Sequence, residues 1–212
     1  MFNLSILFNR PERFFYSISD IVVILCVFFI FTAILIDFAE FQKRKQIKKE
    51  KKSIVETGTM FIYFFFFYFL IRFSIGQINI YFFPLKFFTM IVGLLILVIG
   101  CIVNIKGRIK LGKNWSNQIK IYEDHYFISN GIYGFVRHPL YASIIWMFFG
   151  ASLIYFNFFA FLSNLLIFIP FMYYRAKQEE YLLIKEFKNY QNYQIKVGMF
   201  FPRLFTKNYE KI

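Results

Sequence analysis

Polar residues divide the chain into apolar runs of a length that matters. Ile21 to Ile36 holds no charge and is bracketed by Asp20 and Asp37. Thr57 to Ile71, "TGTMFIYFFFFYFLI", ends at Arg72, and Phe87 to Ile105 lies between Lys86 and Lys106. A membrane helix needs about 20 apolar residues, with roughly 17 to 25 observed. With their flanks, these runs predict spans one, two and three. The fourth run, Pro139 to Tyr174, has 36 residues without Asp, Glu, Lys, Arg or His. As one helix it would reach about 54 Å, against a hydrocarbon core of about 30 Å. It must fold back, and Asn157 in "YFNFF" is the natural turn. The predicted result is a tight hairpin, spans four and five, either arm of which can fall short of a full crossing. The first fifteen residues lack a basic n-region and a small-residue cleavage site, so they do not read as a cleaved signal. They fit a short helix lying in the interface.

The distribution of Lys and Arg orients these spans. The segments after spans one, three and five hold seven, six and eight of them, and the other two hold two each. The positive-inside rule places the rich segments in the cytoplasm and the N-terminus outside. The expected location is a bacterial inner (plasma) membrane, with the C-terminal tail in the cytoplasm. Composition agrees: 58% of the 212 residues are hydrophobic and 24% aromatic, including 34 Phe. One small core cannot hold that many rings, and lipid is the simplest solvent for them. The net charge of +13 would suggest nucleic acid on a soluble protein. Here the charge clusters between apolar runs, which fits topology and anionic lipid, and no nucleic-acid partner is expected. Cys26 and Cys101 both sit inside apolar runs and form no metal or disulfide framework. They read as small hydrophobes.

The candidate chemistry lies on the predicted cytoplasmic side. Both histidines, His125 and His138, fall between spans three and four, with Gln118, Tyr133, Arg137 and Tyr141. After span five comes "YYRAKQEEYLLIKEFKNYQNY", a predicted helix bearing Arg175, Glu179 and Glu180. A closed hairpin brings Arg137-His138 and Arg175-Glu179 to one level of the membrane. Singly, each has a bland explanation. Arg137 can be a topology anchor, His138 an interfacial residue, and Arg175 with Glu179 an i,i+4 surface pair worth a few tenths of a kcal/mol.

The combination resembles the isoprenylcysteine carboxyl methyltransferase family and the related phospholipid N-methyltransferases. The residues that carry it are "LGKNWS", "HYFISNGIYGFVRHPLYAS", the hairpin and "RAKQEEYLLIKEFKNYQNYQIKVGMFFPRLF". The resemblance covers about Leu111 to Leu204. It implies an all-α polytopic membrane protein, with about five transmembrane helices, a C-terminal hairpin and a cytoplasmic site for S-adenosyl-L-methionine. It implies cofactor contacts by Gln118, His125, Tyr126, Phe127, Ile128, Tyr133, His138, Pro139, Leu140, Tyr141 and Glu179, several of them through backbone. It places Arg175 against the acceptor, and no metal is expected; a carboxylate acceptor needs no base, whereas for an amine Glu180 or a histidine would take the proton, which makes Arg175 and Glu180 the catalytic candidates. Residues 1–105 would form an N-terminal transmembrane region and 106–212 the catalytic region. Two positions depart from the pattern: Ser143 and Asn189 stand where many members have Gly.

The acceptor implied is a hydrophobic or lipidic molecule, best a carboxylate of the prenylcysteine kind. A phospholipid amine is the alternative. A donor with its own sulfonium leaving group asks the protein to position reactants and shape the field rather than make a strong nucleophile. An NADPH-dependent membrane reductase would show an Arg-His-x-Asn-Tyr-like motif, whereas this chain reads Arg-His-Pro-Leu-Tyr. A non-catalytic membrane module is the remaining class.

Overall fold

The computed structural model describes residues 11–41, 47–51, 57–114, 119–122 and 126–203. Five apolar helices dominate it: α1 (Pro11–Phe41), α2 (Thr57–Arg72), α3 (Phe83–Leu111), α4 (Pro139–Ile154) and α5 (Phe158–Glu186). A short α6 (Tyr190–Lys196) follows. α1, α3 and α5 are long and apolar enough to cross a membrane, while α2 and α4 have 16 residues each. The five expected apolar segments are therefore all helices, and the protein is an integral membrane protein. α1 is longer than the uncharged run that predicted it, so Asp20 and Asp37 lie inside the helix rather than beyond its ends.

The helical expectation omitted one feature. Strand β1 (Ile47–Lys51) pairs antiparallel with β2 (Ile119–Tyr122), and Lys49 faces Ile121. This ribbon joins the segment after α1 to the segment after α3. Two of the basic segments thus lie at one end of the helices, as the charge count requires.

The hairpin turns at the expected place. Phe156 takes a positive φ of 51°, and Asn157 then caps α5. The Asn157 Oδ1 accepts from the Ala160 amide at 2.8 Å, and its Nδ2 donates to the Leu70 carbonyl at 3.0 Å. One buried amide so satisfies a helix start and a carbonyl at the end of α2. Within α5 a π turn covers Asn164–Phe168, just before Pro170. Proline lacks an amide hydrogen and crowds the carbonyl four residues back, and the wider turn accommodates it. Asn164 uses the same place to donate to the Ile145 carbonyl of α4 at 3.0 Å.

α3 and α4 approach each other through glycine. A Cβ on Gly150 would meet the Gly93 carbonyl oxygen at 2.6 Å, and one on Gly100 the Ser143 carbonyl oxygen at 2.9 Å. Apolar burial drives no association against lipid tails, so close backbone contact supplies the attraction. Around this pair sits a ring cluster of Tyr63, Phe67, Phe148 and Phe168, with centroids 4.4 to 6.3 Å apart in the contacting pairs. Cys26 and Cys101 are buried free thiols, and the Cys101 Sγ donates to the Cys26 carbonyl at 3.8 Å. Most other Phe side chains on α1 and α2 are exposed, as lipid-facing positions should be.

Gly150→Ala should lower the thermal midpoint in detergent, by an overpacking cost of about 1–3 kcal/mol. Gly58→Ala, where a Cβ meets nothing within 4 Å, should leave it unchanged or raised. Equal midpoints for the two variants would refute the close contact.

Candidate active site

The chain re-enters α4 through a structured approach. Gly131–Gly134 forms a 3₁₀ turn, with Gly131 at a φ of +63°. The stretch that follows is held by the C-terminal segment: the Arg137 amide donates to the Gly198 carbonyl at 2.8 Å and the His138 amide to the Met199 carbonyl at 3.1 Å. Pro139 then opens α4, its fixed φ suiting a first helical turn. The His138 carbonyl accepts the first helix bond, from Ala142 at 2.9 Å. The Arg-His pair at the edge of a long apolar run is therefore the N-terminal edge of the hairpin's first arm.

The second arm delivers the partners. Helical spacing puts Arg175, Glu179 and Leu182 on one side of α5, with Glu180 adjacent. The Arg137 Nε donates to Glu180 Oε1 at 2.7 Å, and His138 Nε2 faces the same oxygen at 3.2 Å. His138 Nδ1 lies 3.6 Å from Glu179 Oε2. The Tyr141 hydroxyl donates to that Glu179 oxygen at 3.0 Å and accepts from Arg175 Nε at 3.0 Å. The sequence motifs suggested pairs within each arm; the structure crosses them, arm to arm. The His138 and Tyr141 rings stack at 5.5 Å and 9°, and Phe200 closes the far side of the imidazole edge-on at 6.4 Å.

Burial separates the two acids. The Glu180 side chain is 2% exposed, whereas that of Glu179 is 37% exposed. Glu180 is locked by Arg137 and His138, with Lys177 at 3.8 Å from its other oxygen. Glu179 opens to the mouth. Arg137 extends the lock further, donating to the Gln194 carbonyl at 2.9 Å and to the Val197 carbonyl of the chain beyond α6. Removing one partner from such a buried pair costs about 3–5 kcal/mol, because the other charge is left uncompensated.

Burial by itself lowers the affinity of His138 for a proton, but the Glu179 and Glu180 carboxylates outweigh it and hold its pKa above the ordinary value. Burial raises the Tyr133 phenol well above its usual value, helped by Glu179. Tyr133 thus stays a neutral donor, with the Gly107 carbonyl oxygen at 3.5 Å. Its own carbonyl accepts from the Tyr193 hydroxyl.

The remaining predicted residues divide as follows. Tyr126 is exposed, but its backbone is clamped: Asn114 Nδ2 donates to its carbonyl at 3.0 Å, and its amide donates to Asn114 Oδ1 at 3.4 Å. Phe127 packs among Phe187, Tyr190 and Tyr193. Ile128 and Leu140 are half-buried, and Pro139 is fully buried. Gln118 and His125 lie outside the described residues. Asn189 begins α6 at φ −87°, a conformation that needs no glycine. Ser143, the other departure, accepts a hydrogen bond from Asn104 at 2.8 Å. Sequence reading missed Asn104, Arg108 and Asp37, a buried polar group beneath the mouth. Asp20 and Asp37 had looked like span brackets, although an acid within a membrane helix is itself a signal of a partner. Gln178 was missed as well: it is buried, and its Oε1 has no hydrogen-bond partner among the described residues.

Fold and site together define an α-helical integral membrane protein with a charged, aromatic mouth over a hairpin. The model of the isoprenylcysteine carboxyl methyltransferase (ICMT) family matches residues 91–185, from within α3 to the last turn of α5. A solved structure of the eukaryotic intramembrane Ras methyltransferase ICMT, without a monobody, superposes with a TM-score of 0.56 at 22% identity. The likeness covers 73% of this chain and 55% of that one, so the chain spans about half the neighbour's length. No curated protein matches in sequence.

The raised His138 pKa fixes the sign of one pH effect. Its contribution to stability is fully present below the unfolded value of about 6.5, and it is lost as pH rises through the elevated native value. The thermal midpoint should fall over that window, and His138→Gln should flatten the fall. Parallel pH profiles for wild type and His138→Gln would contradict the assignment.

Proposed function

We propose that this protein is a membrane methyltransferase. It moves a methyl group from S-adenosyl-L-methionine to a hydrophobic or lipidic acceptor, best a carboxylate of the prenylcysteine kind. In this reading residues 106–212 form the catalytic region, 1–105 form a transmembrane region, and the mouth faces the cytoplasm of a bacterial inner membrane. The supporting observation is the meeting of a half-exposed Glu179 with Tyr141, His138 and a buried Arg175 where the hairpin opens.

The donor set suits a ligand that carries an ammonium, a sulfonium and a carboxylate. When bound, the cofactor supplies an activated methyl and its own leaving group. Glu179, oriented by Tyr141 and His138, presents negative charge to the cationic groups, and the Tyr133 and Tyr141 rings add π faces. His138 stands at the start of α4, where the helix amides favour an anion. By resemblance Gln118, His125, Tyr126, Phe127, Ile128, Pro139 and Leu140 complete the cofactor contacts, and the Asn114 clamp holds the Tyr126 backbone in place. Arg175 binds and orients an acceptor carboxylate, which then needs no base. Glu180 fixes the charges of Arg137 and His138. With an amine acceptor a base must take the departing proton, and Glu180, buried and paired with Arg137 and His138, is held for structure rather than for that role.

Protein in bilayers, given methyl-labelled cofactor and native lipid extract, should yield a labelled lipid. S-adenosylhomocysteine should raise its thermal midpoint, and NADPH should not. Stabilisation by NADPH alone would replace the proposal with a reductase. Glu179→Gln should cost about 1.5–3 kcal/mol of S-adenosylhomocysteine affinity at little loss of stability, whereas Glu180→Gln should lower the thermal midpoint first. Lys177 is 52% exposed beside the site. A Lys177→Cys variant should therefore react with a membrane-impermeant thiol reagent only after the cells are opened. Labelling of intact cells would reverse the orientation.

A further inference from the structure

We infer that Asp37, Arg108, Asn104 and Ser143 form a buried polar relay through which α1 fixes the register of α4 beneath the candidate active site. The inward stripe of α3 reads Gly93, Leu97, Gly100, Asn104 and Gly107, all of them buried. Their spacing alternates between four and three, the repeat of two helices meeting along a seam. Asn104 is the polar member of that seam and is 0% exposed. Its Nδ2 donates to Ser143 Oγ at 2.8 Å and faces the Leu140 carbonyl at 3.4 Å. Its Oδ1 accepts from Arg108 Nε at 2.8 Å, and Arg108 Nη1 is paired with Asp37 of α1.

Each link constrains the next. Glycine contacts against lipid give attraction but little specificity, because a slipped pair still packs. A buried amide does not tolerate a slip: moved by one turn, it would face apolar side chains and lose its partners. A polar residue in an apolar seam is the best-attested device for setting register. Arg108 decides which end of the Asn104 amide is the donor, since a guanidinium can only donate. Asp37 in turn makes a buried guanidinium tolerable. The far end of the relay lies in the first turns of α4. There Leu140 and Ser143 flank Tyr141 and Ala142, and the Ala142 amide donates to the His138 carbonyl. Gly107, the next member of the stripe, presses on Leu140, where a Cβ would stand 3.0 Å from Leu140 Cδ2. The relay therefore sets where His138 and Tyr141 stand relative to Tyr133 and α5.

Two features make this particular to the chain. Ser143 occupies a position where many members of the resembling family have Gly, and its hydroxyl is the atom Asn104 grips. α1 lies outside residues 91–185 and acquires a positioning role through Asp37.

The binding readout rests on the proposed function; the exchange readout does not. Amide hydrogen exchange is measured on bilayer-embedded wild type, Asp37→Asn, Asp37→Glu and Ser143→Ala, with S-adenosylhomocysteine affinity measured in the folded fraction. Asp37→Asn is expected to speed exchange across Gly131–Ala142 by about tenfold, leaving the hairpin tip at Ile154–Ala160 unchanged, and to weaken affinity by a similar factor. Asp37→Glu should restore both. A merely structural ion pair would speed exchange everywhere alike and leave affinity intact. Unchanged exchange at Gly131–Ala142, or an equal rise at the tip, overturns the relay. If Asp37→Asn yields no monodisperse protein, Ser143→Ala gives the same comparison: faster exchange confined to Gly131–Ala142 supports the relay, and unchanged or uniform exchange overturns it. Wild type that binds no S-adenosylhomocysteine sinks the proposed function, and the exchange comparison then decides the relay alone.

Discussion

The Glu180 carboxylate is the interaction on which the candidate active site depends. It is buried where the two arms of the hairpin come back together, and its one oxygen meets both Arg137 and His138. Arg137 carries the hold onward to the carbonyls of Gln194 and Val197. One acid thus fastens the start of α4, the extension of α5 and the C-terminal segment. A charge so buried is tolerable only because the neighbours it needs converge on it from the start of the other arm. The mouth is accordingly a closed electrostatic unit, in which Glu180 bears the structural duty and Glu179 is the exposed acid.

Lipid shapes the rest. Against water, the exposed rings of α1 and α2 would be a liability; against hydrocarbon they are the ordinary surface. What holds the helices together must then be something other than apolar burial. Three devices do so here: glycine contacts along α3 and α4, buried amides at Asn104, Asn157 and Asn164, and a few charged pairs at the helix ends. All three asparagines use their side chains on another helix or on a helix start, as polar groups far from water must.

Much of this was legible in the sequence, and the reasons for success differ from residue to residue. The uncharged runs revealed the helices because a bilayer imposes a length. Asn157 was legible as the turn because 36 uncharged residues are too many for one crossing. His138, Tyr141, Arg175 and Glu179 were legible only as an ordered motif, since none stands out alone. The crossed pairing was not legible: helical spacing pairs residues within an arm, and Arg137 with Glu180 is a tertiary fact. Asp37 and Arg108 were hidden by their position near span ends, where a charge looks like a topology marker. The β1–β2 ribbon was hidden for another reason. Its facing residues, Lys49 and Ile121, lie 72 positions apart in short basic and mixed segments that carry no local sign of pairing.

α4 has 16 residues, which is about 24 Å of helix, and the turn to Asn157 follows at once. The hydrocarbon slab is about 30 Å thick. The first arm of the hairpin is therefore in negative mismatch, and the bilayer must thin around it or take in one of its ends. If the mouth is the end drawn inward, His138 and Glu179 sit below the headgroups in a water-filled dimple. The reactive end of an amphiphile resting in the leaflet would then lie level with them. Under the proposed function such a molecule would reach the mouth by lateral diffusion alone, with no extraction of the chain into water.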